Sequence, residues 1–179
     1  MQRDAIQVLT DDHREVEGLF QKVEGGATGK KDVVAKIVRE LSIHDAIERE
    51  YLYPAVKKYI PNQGEHLAEH SLDEHEKVAR LLADIEDADD TIRQGELLRE
   101  LIPDVKSHVK EEEGQIFPGL RSAMSASELA ELGSKLEEAK AKAPTHPHPH
   151  APRSGVGAKI AGAAAATMDK ARDAAGDGR

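Results

Sequence analysis

Two eleven-residue segments of the chain share the same spacing of chemically active side chains. HDAIEREYLYP, residues 44–54, and HVKEEEGQIFP, residues 108–118, both read histidine, three residues, glutamate, four residues, an aromatic residue and proline. Residues i and i+4 project from one face of a helix, so each histidine and its glutamate can bind one ion together. The two segments therefore predict a pair of related half-sites, each with one imidazole and one carboxylate.

A longer internal repeat adds one histidine to each half-site. DHREVEGLFQKVE, residues 12–24, aligns with EHEKVARLLADIE, residues 74–86, so that His13 corresponds to His75. Each half of the chain thus supplies a lone histidine followed by a His-x3-Glu motif. A repeat of this kind indicates that two similar helical hairpins build the fold.

The six repeated side chains fall on the apolar stripes of their predicted helices. Burying imidazoles and carboxylates with nothing to bind is costly, so the pattern predicts a buried two-metal site. Bridging carboxylates hold two cations roughly 3.5–4 Å apart. These ligands suit iron and are also acceptable to zinc or manganese. We assign His13 and His44 to one ion, His75 and His108 to the other, and Glu48 and Glu112 as bridges.

Two further residues are candidates for the same site. His70 precedes His75 by about 140° on a regular helix, so it joins the metal only if a π-bulge distorts the helix, and is otherwise a solvated histidine. Tyr51 follows His44 on the same stripe, where its phenol would bind ferric iron or supply a proton. The alternative for Tyr51 is a packed ring with a satisfied hydroxyl.

Helical periodicity over the first 140 residues predicts the elements that position these side chains. Helices are expected at about 3–23, 32–53, 63–87 and 91–117, with Pro54 ending the second. Two hairpins with short loops favour an all-α antiparallel up-down four-helix bundle over residues 1–120. A capping box, Ser125 to Glu128, predicts a short fifth helix within 121–143. Residues 144–179 are rich in Pro and His and then in Ala and Gly, which predicts a flexible tail.

The order His, His-x3-Glu, His, His-x3-Glu, with its YP and FP endings, resembles the hemerythrin-like HHE cation-binding domain family over about residues 1–120. The resemblance implies two iron ions with a bridging oxygen species, and oxygen, nitric oxide or peroxide as the small-molecule partner. Oxygen-carrying hemerythrins have His-x3-His in the third helix and His-x4-Asp in the last motif. In this chain His66 and His70 have that first spacing but precede His75, and the last motif is His-x3-Glu, which argues against stable reversible oxygen carriage.

Three functions are compatible with the sequence. The first is a di-iron binding module that senses, scavenges or stores oxygen or nitric oxide, with a role in oxidative stress. The second is a di-iron oxidoreductase, catalase- or peroxidase-like, that consumes peroxide. The third is a metal-free helical interaction protein. The sequence leaves open whether the protein is an enzyme, and whether the tail recruits a protein partner.

The composition of the chain excludes several kinds of site and partner. The chain has no cysteine, which excludes disulfides and thiolate metal sites. Its net charge of −9 argues against nucleic acid as a partner. The longest apolar run, IAGAAAATM, is far shorter than the roughly 20 residues that span a bilayer. With no secretory signal at its start, the chain is expected to be soluble and cytoplasmic.

Overall fold

The computed structural model describes residues 3–26, 30–153 and 155–176, and most of these residues are helical. Two π turns, Glu48–Leu52 and Glu112–Ile116, interrupt the α-helices. The α-helices are α1 Ala5–Glu24, α2 Lys30–Ile47, α3 Tyr53–Tyr59, α4 Gly64–Asp87, α5 Thr91–Glu111, α6 Phe117–Ala123, α7 Ala126–Lys140 and α8 Gly155–Gly176.

Four long rods form a helical bundle. α1 and α4 are two of them; α2 continues through the first π turn into α3, and α5 continues through the second π turn into α6. α1 packs against α2, α4 packs against α5 and α3, and α7 crosses α1. The all-α class predicted from the sequence is confirmed. Among the described helices, none combines the length and the apolar composition of a membrane-spanning segment.

The apolar core is divided into two clusters with a polar layer between them. On α1, Leu9 belongs to one cluster and Val16 to the other, and the buried His13 lies between them. On α4, Leu72 and Leu82 likewise belong to different clusters, with His75 between them. Because the apolar stripe of each rod is interrupted at the same level, the polar side chains of all four rods meet inside the bundle.

The second rod does not end at Pro54, contrary to the prediction. The first π turn comes before it, and α3 begins at Tyr53, so that Pro54 lies in the first turn of a new α-helix. Proline is tolerated there because its missing N–H has no partner in a first turn. The second π turn and Pro118 repeat this arrangement. Each π turn adds one residue and so changes which later side chains face the core.

The predicted fifth helix is confirmed as α7. Its capping box is formed: the Ser125 hydroxyl accepts from the Glu128 N–H, and the Glu128 carboxylate accepts from the Ser125 N–H. Gly133 lies where α7 crosses the start of α1. A Cβ at Gly133 would lie 2.5 Å from the Arg3 carbonyl oxygen and 2.9 Å from the Ala5 nitrogen. Only glycine allows this close approach of two backbones.

We expect Gly133→Ala to destabilise the fold by about 1–3 kcal/mol, because the added methyl group overpacks the contact between α7 and α1. Gly18→Ala is the matched control, since a Cβ at Gly18 meets no heavy atom within 4 Å. Because Gly18 lies in the interior of α1, this variant should stabilise the fold by roughly 0.5–1 kcal/mol. Urea unfolding of both variants measures the difference, and equal effects at the two positions would contradict it.

The tail packs against the bundle, where the sequence alone predicted a flexible segment. α8 packs on the first π turn. The Asp169 carboxylate of α8, 4% exposed, accepts from the backbone N–H groups of Thr145 and His146. The His146 ring lies between Glu86 of α4 and Asp173 of α8. These His–carboxylate contacts join residues far apart in sequence, which is why periodicity could not predict them.

Candidate metal centre

The six predicted ligands meet in the polar layer of the bundle. The rods bring them there because each side chain replaces one apolar residue of a buried stripe, and all six are buried. Within each of two groups, one ligand atom per residue lies within 4.8 Å of every other. The two groups share both glutamates. The first position consists of His13, His44, Glu48 and Glu112, and the second of His75, His108, Glu48 and Glu112.

Each glutamate directs one oxygen to each position. Glu48 Oε1 lies 3.1 Å from His44 Nε2 in the first position, and Glu48 Oε2 lies 3.2 Å from His75 Nε2 in the second. Glu112 does the same, with Oε2 3.4 Å from His13 Nε2 and Oε1 3.5 Å from His108 Nε2. This is the arrangement that two bridging carboxylates adopt between a pair of cations.

The buried ligand atoms of the first position lie close together but form no hydrogen bonds with the protein. Within the described residues, four atoms that face one another have no hydrogen-bond partner: His13 Nε2, His44 Nε2, Glu48 Oε1 and Glu112 Oε2. Buried polar atoms are rarely left unpaired, and a cation would satisfy all four at once. Two imidazoles and two carboxylates also form a donor set that iron, zinc and manganese accept. The residues present therefore fit a metal ion.

A ring of four acids orients the four histidines. Each acid is next in sequence to a ligand of its own rod, and each approaches the outer Nδ1 of the histidine on another rod. Such partners hold Nε2 toward the metal and fix the tautomer. Three pairs lie within hydrogen-bond distance: Asp45 with His75 at 2.6 Å, Glu74 with His108 at 2.8 Å and Glu113 with His13 at 3.0 Å. The fourth, Asp12 with His44 at 3.6 Å, is an ion pair without a hydrogen bond.

Comparison with known proteins places the chain in a family. The sequence model of the Hemerythrin HHE cation binding domain matches residues 4–120, with a further match to residues 68–152. The chain belongs to the hemerythrin HHE family. Family membership and the two ligand groups together indicate a protein that binds metal ions.

This HHE protein is similar to two curated proteins and to one solved structure. It is 30% identical to an uncharacterized hemerythrin-like protein of Schizosaccharomyces pombe, over 90% of this chain and 81% of the yeast protein. It is 26% identical to a DNA nickase of a Nostoc species, over 83% of this chain and 42% of the nickase. A crystal structure of an HHE domain-containing protein from Mycobacterium kansasii has the same fold, with a TM-score of 0.64 and 22% identity, over 78% of this chain and 88% of that one.

The tyrosine at the ligand cluster is Tyr53, whereas Tyr51 was the candidate from the sequence. The fully buried Tyr53 hydroxyl lies 2.8 Å from His75 Nε2, and donates to Glu112 Oε1 at 3.0 Å or to Glu48 Oε2 at 3.2 Å. Burial, followed by the charges of Glu112 and Glu48, raises the pKa of Tyr53 well above its usual value, so it remains a phenol. Its repeat counterpart, Phe117, stacks on His13 of the first position.

Tyr51 and His70 both lie outside the cluster. Tyr51 is partly buried and lines a neighbouring cavity, and burial, followed by Glu50, raises its pKa to about 12. His70 is exposed, with Nε2 3.2 Å from a carboxylate oxygen of Glu111 and 3.7 Å from one of Glu74. α4 remains a regular α-helix through this region, so the π-bulge that His70 would need is not formed there.

The carboxylates of the cluster favour charged histidines in the metal-free HHE protein. Burial alone would lower the pKa of His75, but Asp45 and Glu48 outweigh it and raise the pKa to about 9. Burial also opposes the charged form of His44, yet Glu48 and Asp12 hold its pKa well above the usual value. Both imidazoles are therefore protonated at neutral pH without metal, whereas a metal ligand must be neutral.

We expect metal loading to release about two protons per chain at pH 7, because His44 and His75 must lose theirs to bind. Release should decline as the pH approaches 9, and metal affinity should rise over the same range. Loading the metal-free protein with zinc in weak buffer containing an indicator dye measures the release. His70→Ala, outside the cluster, should release the same number, and loading without proton release would contradict the expectation.

Proposed function

We propose that this HHE protein holds two iron ions and binds or reacts with oxygen, nitric oxide or peroxide. The proposal rests on one observation: each of the two glutamates directs one carboxylate oxygen to each of the two metal positions. When bound, iron would supply one-electron exchange between its ferrous and ferric states. The chain itself supplies the buried ligands and the acids that hold each imidazole in one orientation.

The ligand count supports a reactive centre over a structural one. Each position has two imidazoles and one oxygen from each shared carboxylate, which would leave two coordination sites for an exogenous small molecule on a six-coordinate iron and none on a tetrahedral zinc. A structural metal site is normally closed by protein ligands. For this reason we favour chemistry at the centre over a role for the metal in stability alone.

Tyr53 favours peroxide consumption as a specific version of this function. Its Oη lies within hydrogen-bond distance of both bridging glutamates and of His75. A phenol in this place can hold a proton and deliver it to a small molecule that enters the cluster. Proton delivery is needed to turn peroxide over, and it is not needed to bind nitric oxide or oxygen reversibly.

Metal analysis of freshly purified protein, prepared without chelators, tests the proposal. We expect about two iron ions per chain and absorption from a ferric pair in the near ultraviolet. Zinc alone, which has no such absorption, would overturn the iron assignment. A protein with no stoichiometric metal would support the metal-free interaction protein instead.

Two measurements separate the binding module from the enzyme. Repeated turnover of hydrogen peroxide by the iron-loaded protein supports the oxidoreductase. A stable absorption change of the reduced protein under oxygen or nitric oxide, without peroxide turnover, supports the sensor or store.

We do not propose DNA nickase activity for this chain, because its match covers only 42% of the Nostoc nickase and its net charge of −9 disfavours phosphate binding. We propose the cytoplasm as the site of action.

A further inference from the structure

A cavity of about 600 Å³ lies beside the ligand cluster. Small-molecule sites typically span roughly 300–1,000 Å³, whereas one water takes about 30 Å³ in the liquid, so the cavity is much larger than oxygen or peroxide requires. Its inner end reaches His44 and His75, and its outer wall is formed by the tail. Most of its lining is apolar, including Val16, Leu41, Val78, Leu82, Val105 and Val109.

Arg49 is the exceptional residue in this lining. The residue is 2% exposed, and its Nε donates to Asp45 Oδ1 at 2.6 Å. Its Nη1 and Nη2 are buried, and neither has a hydrogen-bond partner among the described residues. Leaving two charged N–H groups of a guanidinium without an acceptor is costly, and a ligand with an anionic oxygen would remove that cost.

The acids around the cavity do not compete for those nitrogens. Three of the four acidic side chains in the lining are already paired: Asp45 with His75, Glu50 with Lys159 at 3.7 Å, and Asp12 with Lys140. Apart from Asp12 Oδ2 and the nitrogens of His13 and His44, which belong to the ligand cluster, the lining atoms without a hydrogen-bond partner among the described residues are Nη1 and Nη2 of Arg49. That pair of nitrogens matches the two oxygens of a carboxylate.

We propose that this cavity binds an apolar monocarboxylic acid, with its carboxylate on Arg49 Nη1 and Nη2 and its hydrocarbon part among the apolar side chains. The tail completes the site: Ala161, Gly162, Ala163 and Ala165 form part of the outer wall. Their small side chains cover the cavity without filling it. Because Arg49 follows Glu48 in the chain, the bound acid lies next to the ligand cluster. The proposal goes beyond the di-iron function and does not require metal.

Calorimetric titration with decanoate and with 1-decanol, on metal-free and metal-loaded protein, tests the proposal. We expect decanoate to bind both forms about 10- to 100-fold more tightly than decanol, as charge-assisted hydrogen bonds to Arg49 predict. Arg49→Met should remove that advantage and leave decanol binding unchanged. Arg121→Met, at an exposed arginine outside the cavity, should change neither. Decanoate binding that requires metal and is insensitive to Arg49→Met would overturn the proposal.

A second pair of variants keeps the test decisive if Arg49→Met fails to fold. Gly162 of α8 lines the cavity, whereas Gly95 of α5 does not. A Cβ at either position meets no heavy atom within 4 Å. Gly162→Phe should weaken decanoate and decanol together by about tenfold, by occupying the cavity, and Gly95→Phe should weaken neither. No decanoate binding to the wild-type chain, or equal binding to both glycine variants, would also overturn the proposal.

Discussion

Replacing Glu48 and Glu112 together by alanine should abolish metal binding in this protein. Each carboxylate directs one oxygen to each position, so the double variant removes half of the ligand atoms from both positions at once. Four histidines divided into two pairs would remain. We expect bound metal to fall from about two ions per chain to fewer than about 0.2, together with loss of any peroxide turnover. Metal analysis after gel filtration measures the loss.

The matched control replaces two neighbouring glutamates. Glu50 and Glu111 lie close to the bridging residues in sequence but belong to neither ligand group of the cluster. Glu50→Ala, Glu111→Ala removes the same net charge and should retain about two ions per chain. Circular dichroism of both double variants checks that each remains helical. Retention of both ions by the Glu48→Ala, Glu112→Ala protein would refute the bridging role.

Removing the Tyr53 hydroxyl should lower peroxide turnover without lowering the iron content. Tyr53→Phe deletes the hydroxyl that contacts His75 and both bridging glutamates, and leaves a ring that fills the same apolar space. We expect iron content to stay within about 20% of the wild type while peroxide turnover falls by about 10²–10⁴-fold, the usual contribution of a positioned proton donor. Turnover per bound iron, measured across pH, separates lost proton delivery from lost metal.

Tyr51→Phe is the control for that experiment, since it removes the same group from a tyrosine that lies outside the cluster. It should leave turnover per iron within about twofold. The comparison also tests the π turn itself. An uninterrupted α-helix would direct Tyr51 to the metals, whereas the π turn directs Tyr53 there. A larger effect from Tyr51→Phe than from Tyr53→Phe would show that the π turn does not set the functional tyrosine.

The repeat and the helical period predict the all-α class and the six residues that the structure brings together in the ligand cluster, whose binding of metal stays a prediction. His13 and His75 could be identified because they occupy apolar stripes, where an unpaired polar group is costly. Tyr53 could not, because its position depends on one extra residue per π turn, and the sequence around Glu48 reads as an ordinary helix. The sequence does contain one signal of the interruption. Pro54 and Pro118 would each disrupt a continuous α-helix, so the helix must change its geometry just before them.

Other parts of the site depend on contacts between rods, which sequence spacing does not report. Asp12 and Asp45 look like solvated neighbours of histidines, yet each approaches a histidine on another rod. The tail is similar in this respect, because its composition does not reveal that Asp169 and Asp173 face the Pro–His segment. Arg49 reads as one more charged residue in a charged helix, and only its burial sets it apart.

The ring of four acids makes assembly of the centre a collective event. Each ligand histidine contacts an acid of a different rod. The acid of α1 contacts the histidine of α2, that of α2 contacts α4, that of α4 contacts α5, and the acid that follows α5 contacts the histidine of α1. Displacing any single rod therefore disturbs one ligand directly and a second one through its lost acid. Neither hairpin by itself contains a complete set of aimed ligands. High affinity should appear only after both halves have docked, so that metal capture reports the final step of folding.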